Sequence, residues 1–372
     1  MAAVDDCLHQ NIFQKENSTN KERYRLLELY CGIGGMRFAL NAAGIPYEIV
    51  AAIDINPVVN AIYKHNFGSQ GHYQKNILSF TSSDIENMKI DIITMSPPCQ
   101  PFTRVGLKKD IEDERSKSFL HILTILNELQ RKPFYILLEN VMGFEKSEAR
   151  NALIQTMEIS GYRYQEFLLT PQDFYIPNSR LRYYLIAKLR EERFSFIESQ
   201  QLLREMPNSS SYRFECPEWC HNKLTIYPLK YFLEKESGNL ELYLIPDHVL
   251  LKYWSVFDIV DENNCNSCCF TKAYHRYARG TGSVLLSIEP SEGYRILQLA
   301  SESEDTKERL TLLKQLGLRY FTPKEVANIM LYPDNFSFPS DISVKQMYKS
   351  LGNSINVYVV SCLMKLLFQK RD

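Results

Sequence analysis

The stretch that indicates the fold most clearly is Asp91-Ile92-Ile93-Thr94-Met95-Ser96-Pro97-Pro98-Cys99-Gln100-Pro101-Phe102-Thr103. Its mostly apolar first part predicts a short buried strand. Proline removes a donor from a sheet ladder, so Pro97 and Pro98 must lie beyond the strand end. The residue before a proline is held in extended geometry. Cys99 is therefore expected on a stiff loop at the C-terminal edge of the sheet, where open α/β sheets bind ligands. A lone cysteine is more often an inert, buried hydrophobe, so the rest of the chain decides its role.

Two strand–turn–helix units precede this stretch. The first is a strand at Tyr24–Leu29, followed by the glycine turn Tyr30–Gly35 and a helix. Glycines at such a turn let the backbone approach a ligand at a helix N-terminus. The second strand, Tyr47–Ile53, ends in Asp54, about 20 residues after the glycines, where an acid is placed to bind ribose hydroxyls. Asp54 equally suits an N-cap before Pro57.

Strands and helices continue to alternate as far as residue 188, which predicts an α/β fold with a doubly wound, mostly parallel sheet. The next strand after the central stretch, Tyr135–Leu138, is expected to end in Glu139 and Asn140. Because the carboxyl ends of parallel strands meet at one edge, Asp54, Cys99 and Glu139 are predicted to face the same rim.

The alternation is lost between residues 189 and 289, which predicts a separate, smaller domain. Its stretch Cys269–Gly282 interleaves cations with aromatic residues, as in surfaces that stack bases and meet phosphates. A solvated loop with ordinary aromatic packing fits the same pattern equally well. Residues 290–372 are helical and rejoin residues 25–188 in one domain, and residues 1–24 form a polar, loosely ordered extension.

Composition restricts the class of protein. The chain has 372 residues, 45% of them apolar, which is enough for one large domain with a smaller one inserted. Its 43 basic and 44 acidic residues create no global attraction to nucleic acid, so a polyanion must meet a local basic face. Nine irregularly spaced cysteines predict a reduced protein without a disulfide framework. The absence of a signal region or an 18-residue apolar run predicts a soluble protein of the cytoplasm, with the nucleus as a second location and no membrane contact. We separately expect a monomer.

Five motifs occur in the order found in the cytosine C5-methyltransferases, and the chain resembles that family. They are Tyr30–Gly35, Ser96–Gln100, Glu139–Val141, Arg180–Arg182 and Leu351–Ser354. With Cys269-Phe270-Thr271 and its short length, the chain is most similar to the eukaryotic branch that looks like DNA methyltransferases but methylates cytosine 38 of aspartate transfer RNA. The resemblance implies a Rossmann-like, class I S-adenosylmethionine-dependent methyltransferase domain, with a small target-recognition domain inserted at residues 189–289.

The chemistry of this family needs the residue types present here. Carbon 5 of cytosine is a poor nucleophile, but addition of a thiolate to carbon 6 turns the ring into an enamine that attacks a methyl sulfonium. Cys99 is the expected thiolate, provided that a nearby cation lowers its pKa. Glu139 is the expected acid at ring N3, provided that burial raises its pKa. The resemblance implies that Arg182 contacts the base carbonyl with support from Arg180; surface ion pairing is the alternative for both.

The resemblance also implies the residues that hold the cofactor, S-adenosylmethionine, whose product is S-adenosylhomocysteine. They are Tyr30, Gly32, Ile33, Gly34, Gly35, Asp54, Asn76, Ile77, Leu78, Ser96, Asn353 and Ser354. Many relatives carry an acid at the position of Asn76, whose amide oxygen accepts a hydrogen bond without charge.

The substrate base must leave its stack, which is less costly in an anticodon loop than in a duplex. Several cations are expected to hold the phosphates of transfer RNA, beside the motif that marks the branch. These residues are Lys108, Lys109, Arg115, Lys117, Lys272, Arg276 and Arg279, with Cys269, Phe270 and Thr271.

Three alternatives stay open at this level. The first is a DNA cytosine C5-methyltransferase, disfavoured by the balanced charge and the small inserted domain. The second is a non-catalytic, cofactor-dependent RNA-binding module, disfavoured because binding alone needs no nucleophile. The third is a zinc site, disfavoured by irregular spacing, so no metal is expected. Its candidate ligands are Cys216, Cys220, His221, Cys265, Cys268 and Cys269.

Overall fold

The computed structural model describes residues 23–98, 116–207, 209–212, 214, 225–234 and 240–370. Among the residues predicted to act in catalysis or to bind RNA, four lie outside the described residues: Cys99, Lys108, Lys109 and Arg115. The same holds for residues 1–22 of the predicted N-terminal extension.

The described residues contain a seven-stranded sheet with the order β3-β2-β1-β4-β5-β7-β6. Its strands are β1 (Tyr24–Leu29), β2 (Tyr47–Asp54), β3 (His72–Gln74), β4 (Ile92–Met95), β5 (Tyr135–Val141), β6 (Tyr162–Leu169) and β7 (Arg182–Leu189). The first five are parallel to one another, and β7 runs antiparallel between β5 and β6. The predicted doubly wound, mostly parallel sheet is confirmed.

The helices of this domain cover both faces of the sheet. They are α1 (Gly35–Ala43), α2 (Pro57–Phe67), α3 (Ser82–Met88), α4 (Lys117–Glu128) and α5 (Glu148–Ile159), followed after the insertion by α9 (Pro323–Ile329), α10 (Val344–Gly352) and α11 (Val357–Phe368). Helix α11 packs against α1, and its apolar side chains belong to the same core as one face of the sheet. Capping boxes at Thr322 and Ser343 begin α9 and α10, and each is closed by the side chain three residues later.

The register of the sheet aligns the carboxyl ends of its central strands. Leu29 of β1 pairs with Ile53 of β2 and with Met95 of β4, and Met95 in turn pairs with Leu138 of β5. The residues that follow these positions therefore meet at one edge, where the strand order reverses on either side of β1. One expectation is wrong in detail: Glu139 and Asn140 lie within β5, because β5 keeps pairing with β7 as far as Val141.

The inserted region builds a second, smaller sheet in the order β10-β9-β8. Its strands are β8 (Ile259–Val260), β9 (Val284–Leu285) and β10 (Arg319–Tyr320), accompanied by α6 (Asp247–Tyr253), α7 (Pro290–Glu302) and α8 (Thr306–Gln315). Strand β10 pairs antiparallel with β9, so this sheet joins residues from both sides of the boundary predicted at residue 289. The division into domains stays a prediction.

One helical stretch, Val344–Phe368, is by length and composition sufficient to cross a membrane, with a mean hydropathy of 1.4 in its most apolar window. It combines α10 and α11, and 78% of that window is buried inside the protein. Burial of that extent is what the central helices of a folded domain show, so the stretch is weak evidence for a membrane span.

Candidate active site

A cavity of about 480 Å³ opens at the edge where the central strands end. Its wall includes ten of the twelve residues predicted to hold the cofactor: Tyr30, Gly32, Ile33, Gly35, Asp54, Asn76, Ile77, Ser96, Asn353 and Ser354. Glu139, Arg180 and Arg182 line the same cavity, and so does Pro98, the residue immediately before Cys99. The structure therefore brings the predicted cofactor residues and three of the four predicted catalytic residues to one place.

Asp54, the last residue of β2, is hydrogen-bonded to the glycine turn. Its carboxylate accepts hydrogen bonds from the backbone N–H of Gly32 at 3.1 Å and of Asn56 at 2.9 Å. Burial raises the pKa of Asp54, and these backbone hydrogen bonds oppose the rise. The alternative role of helix cap falls to Asn56, whose side chain accepts from Val58 N at 3.0 Å. Asp54 therefore does not cap helix α2, and its side chain lines the cavity.

Two predicted cofactor residues, Gly34 and Leu78, lie outside the cavity wall. Gly34 has a φ of +84°, and a Cβ there would lie 2.3 Å from the ring of Phe67. Its glycine is required by backbone conformation and packing rather than by direct approach to a ligand. Leu78 is 45% exposed, and its N–H donates to the Asn76 side chain at 3.1 Å. That bond occupies part of the acceptor capacity of Asn76, which remains in the wall.

Glu139 is buried beside a cation. Arg182 Nε lies 3.5 Å from Glu139 Oε1, and the hydroxyl of Ser96 donates a hydrogen bond to the same carboxylate. Burial raises the pKa of Glu139, although Arg182 and Arg180 act in the opposite direction. The condition set for an acid at ring N3, a raised pKa caused by burial, is met.

Arg180 joins three separated parts of the chain, and only 3% of its surface is exposed. Its Nη1 donates to Cys269 Sγ at 3.4 Å and to the carbonyl of Phe270 at 3.2 Å. Its Nη2 donates to the carbonyls of Gly352, at 3.3 Å, and Ser354. Its Nε has no hydrogen-bond partner among the described residues. Surface ion pairing is therefore excluded as the role of Arg180.

Cys269 connects the two arginines. Its sulfur lies 3.4 Å from Arg180 Nη1 and 3.7 Å from Arg182 Nη2, while Arg182 Nη1 donates to the carbonyl of Leu181. Burial acts to raise the pKa of the Cys269 thiol, but the two guanidinium groups outweigh it and the pKa is lowered. The side chains therefore form a continuous row of polar contacts, in which the Glu139 carboxylate contacts Arg182, Arg182 contacts the sulfur of Cys269, and that sulfur contacts Arg180.

The other predicted substrate residues differ in how far they are exposed to solvent. Phe270 is 2% exposed and packs against Tyr274 and Phe321, so its side chain is part of the core and the prediction that it contacts RNA is corrected. Thr271 is half-buried, and its N–H donates to the carbonyl of Thr281. The remaining cations are exposed: Lys117, Lys272, Arg276 and Arg279.

Several residues of the cavity wall were missed by sequence reasoning. Ile55 is 63% exposed although apolar, and it follows Asp54 directly, which was a usable signal. Ser118 accepts a hydrogen bond from the hydroxyl of Tyr30 at 2.9 Å, a contact across 88 residues that no local pattern reveals. The wall also contains Lys75, Ser350 and Ile355.

Within the described ranges, no group of three or more histidine, cysteine or acidic side chains is arranged to hold a metal ion. Three of the candidate zinc ligands, Cys216, Cys220 and His221, lie outside those ranges. The expected absence of metal stays a prediction.

Both the sequence and the fold of this chain are similar to those of known cytosine C5-methyltransferases. Residues 24–369 match the family model described as C-5 cytosine-specific DNA methylase. The sequence is 44% identical to the tRNA (cytosine(38)-C(5))-methyltransferase of Homo sapiens, over 94% of this chain and 100% of that protein. It is 35% identical to the DNA (cytosine-5)-methyltransferase of Dictyostelium discoideum, over 94% of this chain and 96% of that one. A crystal structure of a DNMT2 variant from Spodoptera frugiperda is similar with a TM-score of 0.82 and 41% identity, over 93% of this chain and 100% of that one.

Proposed function

This chain belongs to the C-5 cytosine-specific DNA methylase family, and we propose that it transfers a methyl group from S-adenosylmethionine to carbon 5 of a cytosine in the anticodon loop of transfer RNA. The proposed target is cytosine 38 of aspartate transfer RNA. The observation that carries the proposal is a cavity whose wall contains the glycine turn together with Glu139, Arg182 and Pro98.

The residues of the cavity fit S-adenosylmethionine. Asp54 offers a carboxylate for ribose hydroxyls, and Ile55 and Ile77 offer apolar surface beside the amide of Asn76 for an adenine ring. A Cβ on Gly35 would lie 2.6 Å from Ile355, so only glycine permits this close packing at the start of α1. When bound, the cofactor supplies an electrophilic methyl group on a sulfonium.

The chain's own residues provide the activation of the base. The Cys99 thiolate adds to carbon 6, and the displaced electron pair moves onto the ring toward N3 and the carbonyl oxygen. Glu139 stabilises N3 by sharing its proton, and Arg182 holds the carbonyl oxygen with its guanidinium. Carbon 5 then attacks the methyl group, whose bond to the sulfonium breaks so that S-adenosylhomocysteine remains as the product. Loss of the carbon 5 proton to water returns the electron pair to the ring, which expels the Cys99 thiolate, and N3 gives its share of the proton back to Glu139.

Transfer RNA is favoured over DNA as the substrate by similarity and by charge. Identity to the human tRNA enzyme is 44%, against 35% to the Dictyostelium protein named as a DNA methyltransferase. The net charge of the chain is −1, which offers little general attraction to a long duplex. The exposed cations Lys272, Arg276 and Arg279 give the local basic face that a compact RNA loop needs.

DNA methylation is the second candidate, because the family model and the Dictyostelium relative carry that name. A non-catalytic RNA-binding module is disfavoured because Glu139 and Arg182 are held in a buried pair that binding alone does not require. We further propose that the protein acts as a monomer in the cytoplasm and secondarily in the nucleus. Sedimentation and cell fractionation test those two points.

The test is transfer of a labelled methyl group to transfer RNA and, in parallel, to duplex DNA. We expect label in the RNA, at the target cytosine, and none in RNA whose target is replaced by uracil. Label in DNA and not in RNA would overturn the proposal in favour of the second candidate. Calorimetric binding of S-adenosylmethionine without transfer to either polymer would favour the binding module instead.

A further inference from the structure

The exposed loop between Thr271 and Thr281 is anchored at the edge of the cavity. The N–H of Thr271 donates to the carbonyl of Thr281 at 2.9 Å and closes the base of the loop. Gly352, which lines the cavity, lies against this base so closely that a Cβ on it would be 2.1 Å from Lys272 N. Because Gly352 also accepts from Arg180, the loop has a fixed relation to the catalytic side chains.

Of the three ring residues in this loop, two are held by the protein itself. The hydroxyl of Tyr274 donates to the carbonyl of Ser283 at 2.7 Å and accepts from Phe321 N at 2.9 Å, and its side chain is buried. His275 packs its ring against Tyr320 and Tyr348, with centroids 4.8 and 5.7 Å away. Tyr274 is therefore part of the core, and the ring of His275, although that residue is exposed, packs against two buried tyrosines.

Tyr277 is the third ring, and it is 60% exposed. Its backbone is nevertheless fixed, because its N–H donates to the carbonyl of Ala273 at 3.1 Å and its carbonyl accepts from the Thr281 hydroxyl at 2.5 Å. The guanidinium carbon of Arg276 lies 5.5 Å from the ring centroid. A positioned aromatic face beside a cation is thus presented to solvent.

Single-stranded RNA is bound through such features. Its bases stack on aromatic side chains, and its phosphates meet neighbouring cations. When a target base leaves its stack, the bases on either side of it lose a stacking partner. An aromatic ring near the cavity can replace that partner and reduce the cost of extruding the target.

We propose that Tyr277 stacks on a nucleobase adjacent to the target cytosine, with Arg276 beside it meeting the RNA backbone. This inference rests on the proposed function and adds to it a binding site for a second nucleotide. Tyr277 is then a residue that touches substrate but takes no part in the methyl transfer itself.

The test compares Tyr277→Ala, Tyr277→Phe and the matched control Tyr294→Ala, since Tyr294 is a 75% exposed tyrosine on α7. We expect Tyr277→Ala to weaken binding of transfer RNA about tenfold, the order found for loss of one base–aromatic stack. Tyr277→Phe keeps the ring and Tyr294→Ala removes an unrelated one, so both should bind within about twofold of the unsubstituted protein. Calorimetric binding of S-adenosylmethionine confirms that each variant is folded.

A second arm identifies the stacked base. On RNA made abasic on both sides of the target cytosine, Tyr277→Ala and the unsubstituted protein should bind equally. The proposal is overturned if Tyr277→Ala binds normal RNA like the unsubstituted protein, if Tyr277→Phe loses as much as Tyr277→Ala, or if the loss persists on abasic RNA. Methylation of DNA but not of RNA by the unsubstituted protein would instead overturn the proposed function, so the two failures are distinguishable.

Discussion

Arg182 Nε lies 3.5 Å from Glu139 Oε1, and the two side chains are only 14% and 10% exposed. A charged pair so little hydrated is costly unless other groups complete it. Ser96 completes it on the carboxylate side, and the sulfur of Cys269 completes it on the guanidinium side. The pair therefore belongs to a connected polar network at the edge of the cavity, and the predictions below probe that network and its supports.

Replacing Glu139 by glutamine should lower the rate of methyl transfer about 100-fold, because an amide occupies the same space but does not share a proton with ring N3. Single-turnover transfer of a labelled methyl group measures this rate. The exposed Glu128→Gln serves as control and should be unaffected. A Glu139→Gln rate within twofold of the control would refute the role given to Glu139.

Replacing Cys269 by alanine should destabilise the protein by about 1–3 kcal/mol, because two buried guanidinium groups lose an acceptor. Cys265→Ala removes an exposed thiol of the same segment and should cost less than about 0.5 kcal/mol. Urea denaturation measures both. If the two variants unfold at the same urea concentration, the sulfur of Cys269 contributes nothing to the network.

Replacing Gly352 by alanine should displace the loop that begins at Thr271, because the added Cβ would lie 2.2 Å from the carbonyl carbon of Thr271. Backbone atoms yield little, so we expect a loss of stability of about 1–3 kcal/mol and weaker binding of transfer RNA. Gly293→Ala is the control, since its Cβ would meet only the flexible end of Leu286, at 2.8 Å. Equal stability and equal RNA affinity of the two variants would contradict this account of Gly352.

Stability should fall with rising pH because of Glu28, a fully buried residue of β1 that accepts from the hydroxyl of Tyr63 at 2.9 Å. Burial raises the pKa of Glu28 from 4.5 to about 7. The folded state thus holds a proton that the unfolded state releases, and this stabilisation, about 3 kcal/mol, is complete below pH 4.5 and lost as pH rises through 7.

Glu28→Gln should remove that dependence. The free energy of unfolding of the variant, relative to the unsubstituted protein, should therefore rise by about 3 kcal/mol between pH 4.5 and pH 8, as measured by urea denaturation at both values. A difference that stays constant with pH would show that Glu28 has the same pKa in the folded and unfolded states.

Reversing the charge of Arg276 and Arg279 should weaken binding of transfer RNA and flatten its dependence on salt, because fewer counterions are released from the phosphates. Filter binding over a series of salt concentrations measures both quantities. Reversal of Arg295, which pairs with Glu292 on the solvent-exposed side of α7, is the control. Affinity and salt slope equal to those of the control would remove the loop from the RNA-binding face.

The parts of this structure that the sequence predicted are those with a local cause. Glycine and proline mark where β1 and β4 end, and continuous apolar runs mark the central strands, so the edge carrying Asp54 and Ser96 was predictable. Because the polar Glu139 interrupts the apolar run, the sequence predicted that β5 ends before it actually does, at Val141. The pairing of Glu139 with Tyr184 of β7 continues the strand, and that pairing depends on a distant segment.

The supports of the site have no such local signal. Arg180 contacts Cys269 across 89 residues and Gly352 across 172, and these contacts depend on the packing of Thr271 and Lys272 against Gly352 at the end of α10. The strands β9 and β10 have two residues each, too few for any periodicity to show. For the same reason, the burial of Phe270 was not foreseen.

The central claim is that Cys99 forms a covalent bond to carbon 6 of the target cytosine, and a trapping experiment tests it most directly. Transfer RNA carrying 5-fluorocytosine at the target has no proton to lose from carbon 5, so the adduct cannot eliminate the enzyme. With S-adenosylmethionine present, we predict a complex of one chain with one RNA that survives denaturation, with the RNA attached at Cys99 by mass spectrometry, and no such complex with Cys99→Ala. An enzyme that methylates ordinary transfer RNA yet gives no trapped complex, or a complex formed equally by Cys99→Ala, would contradict the account.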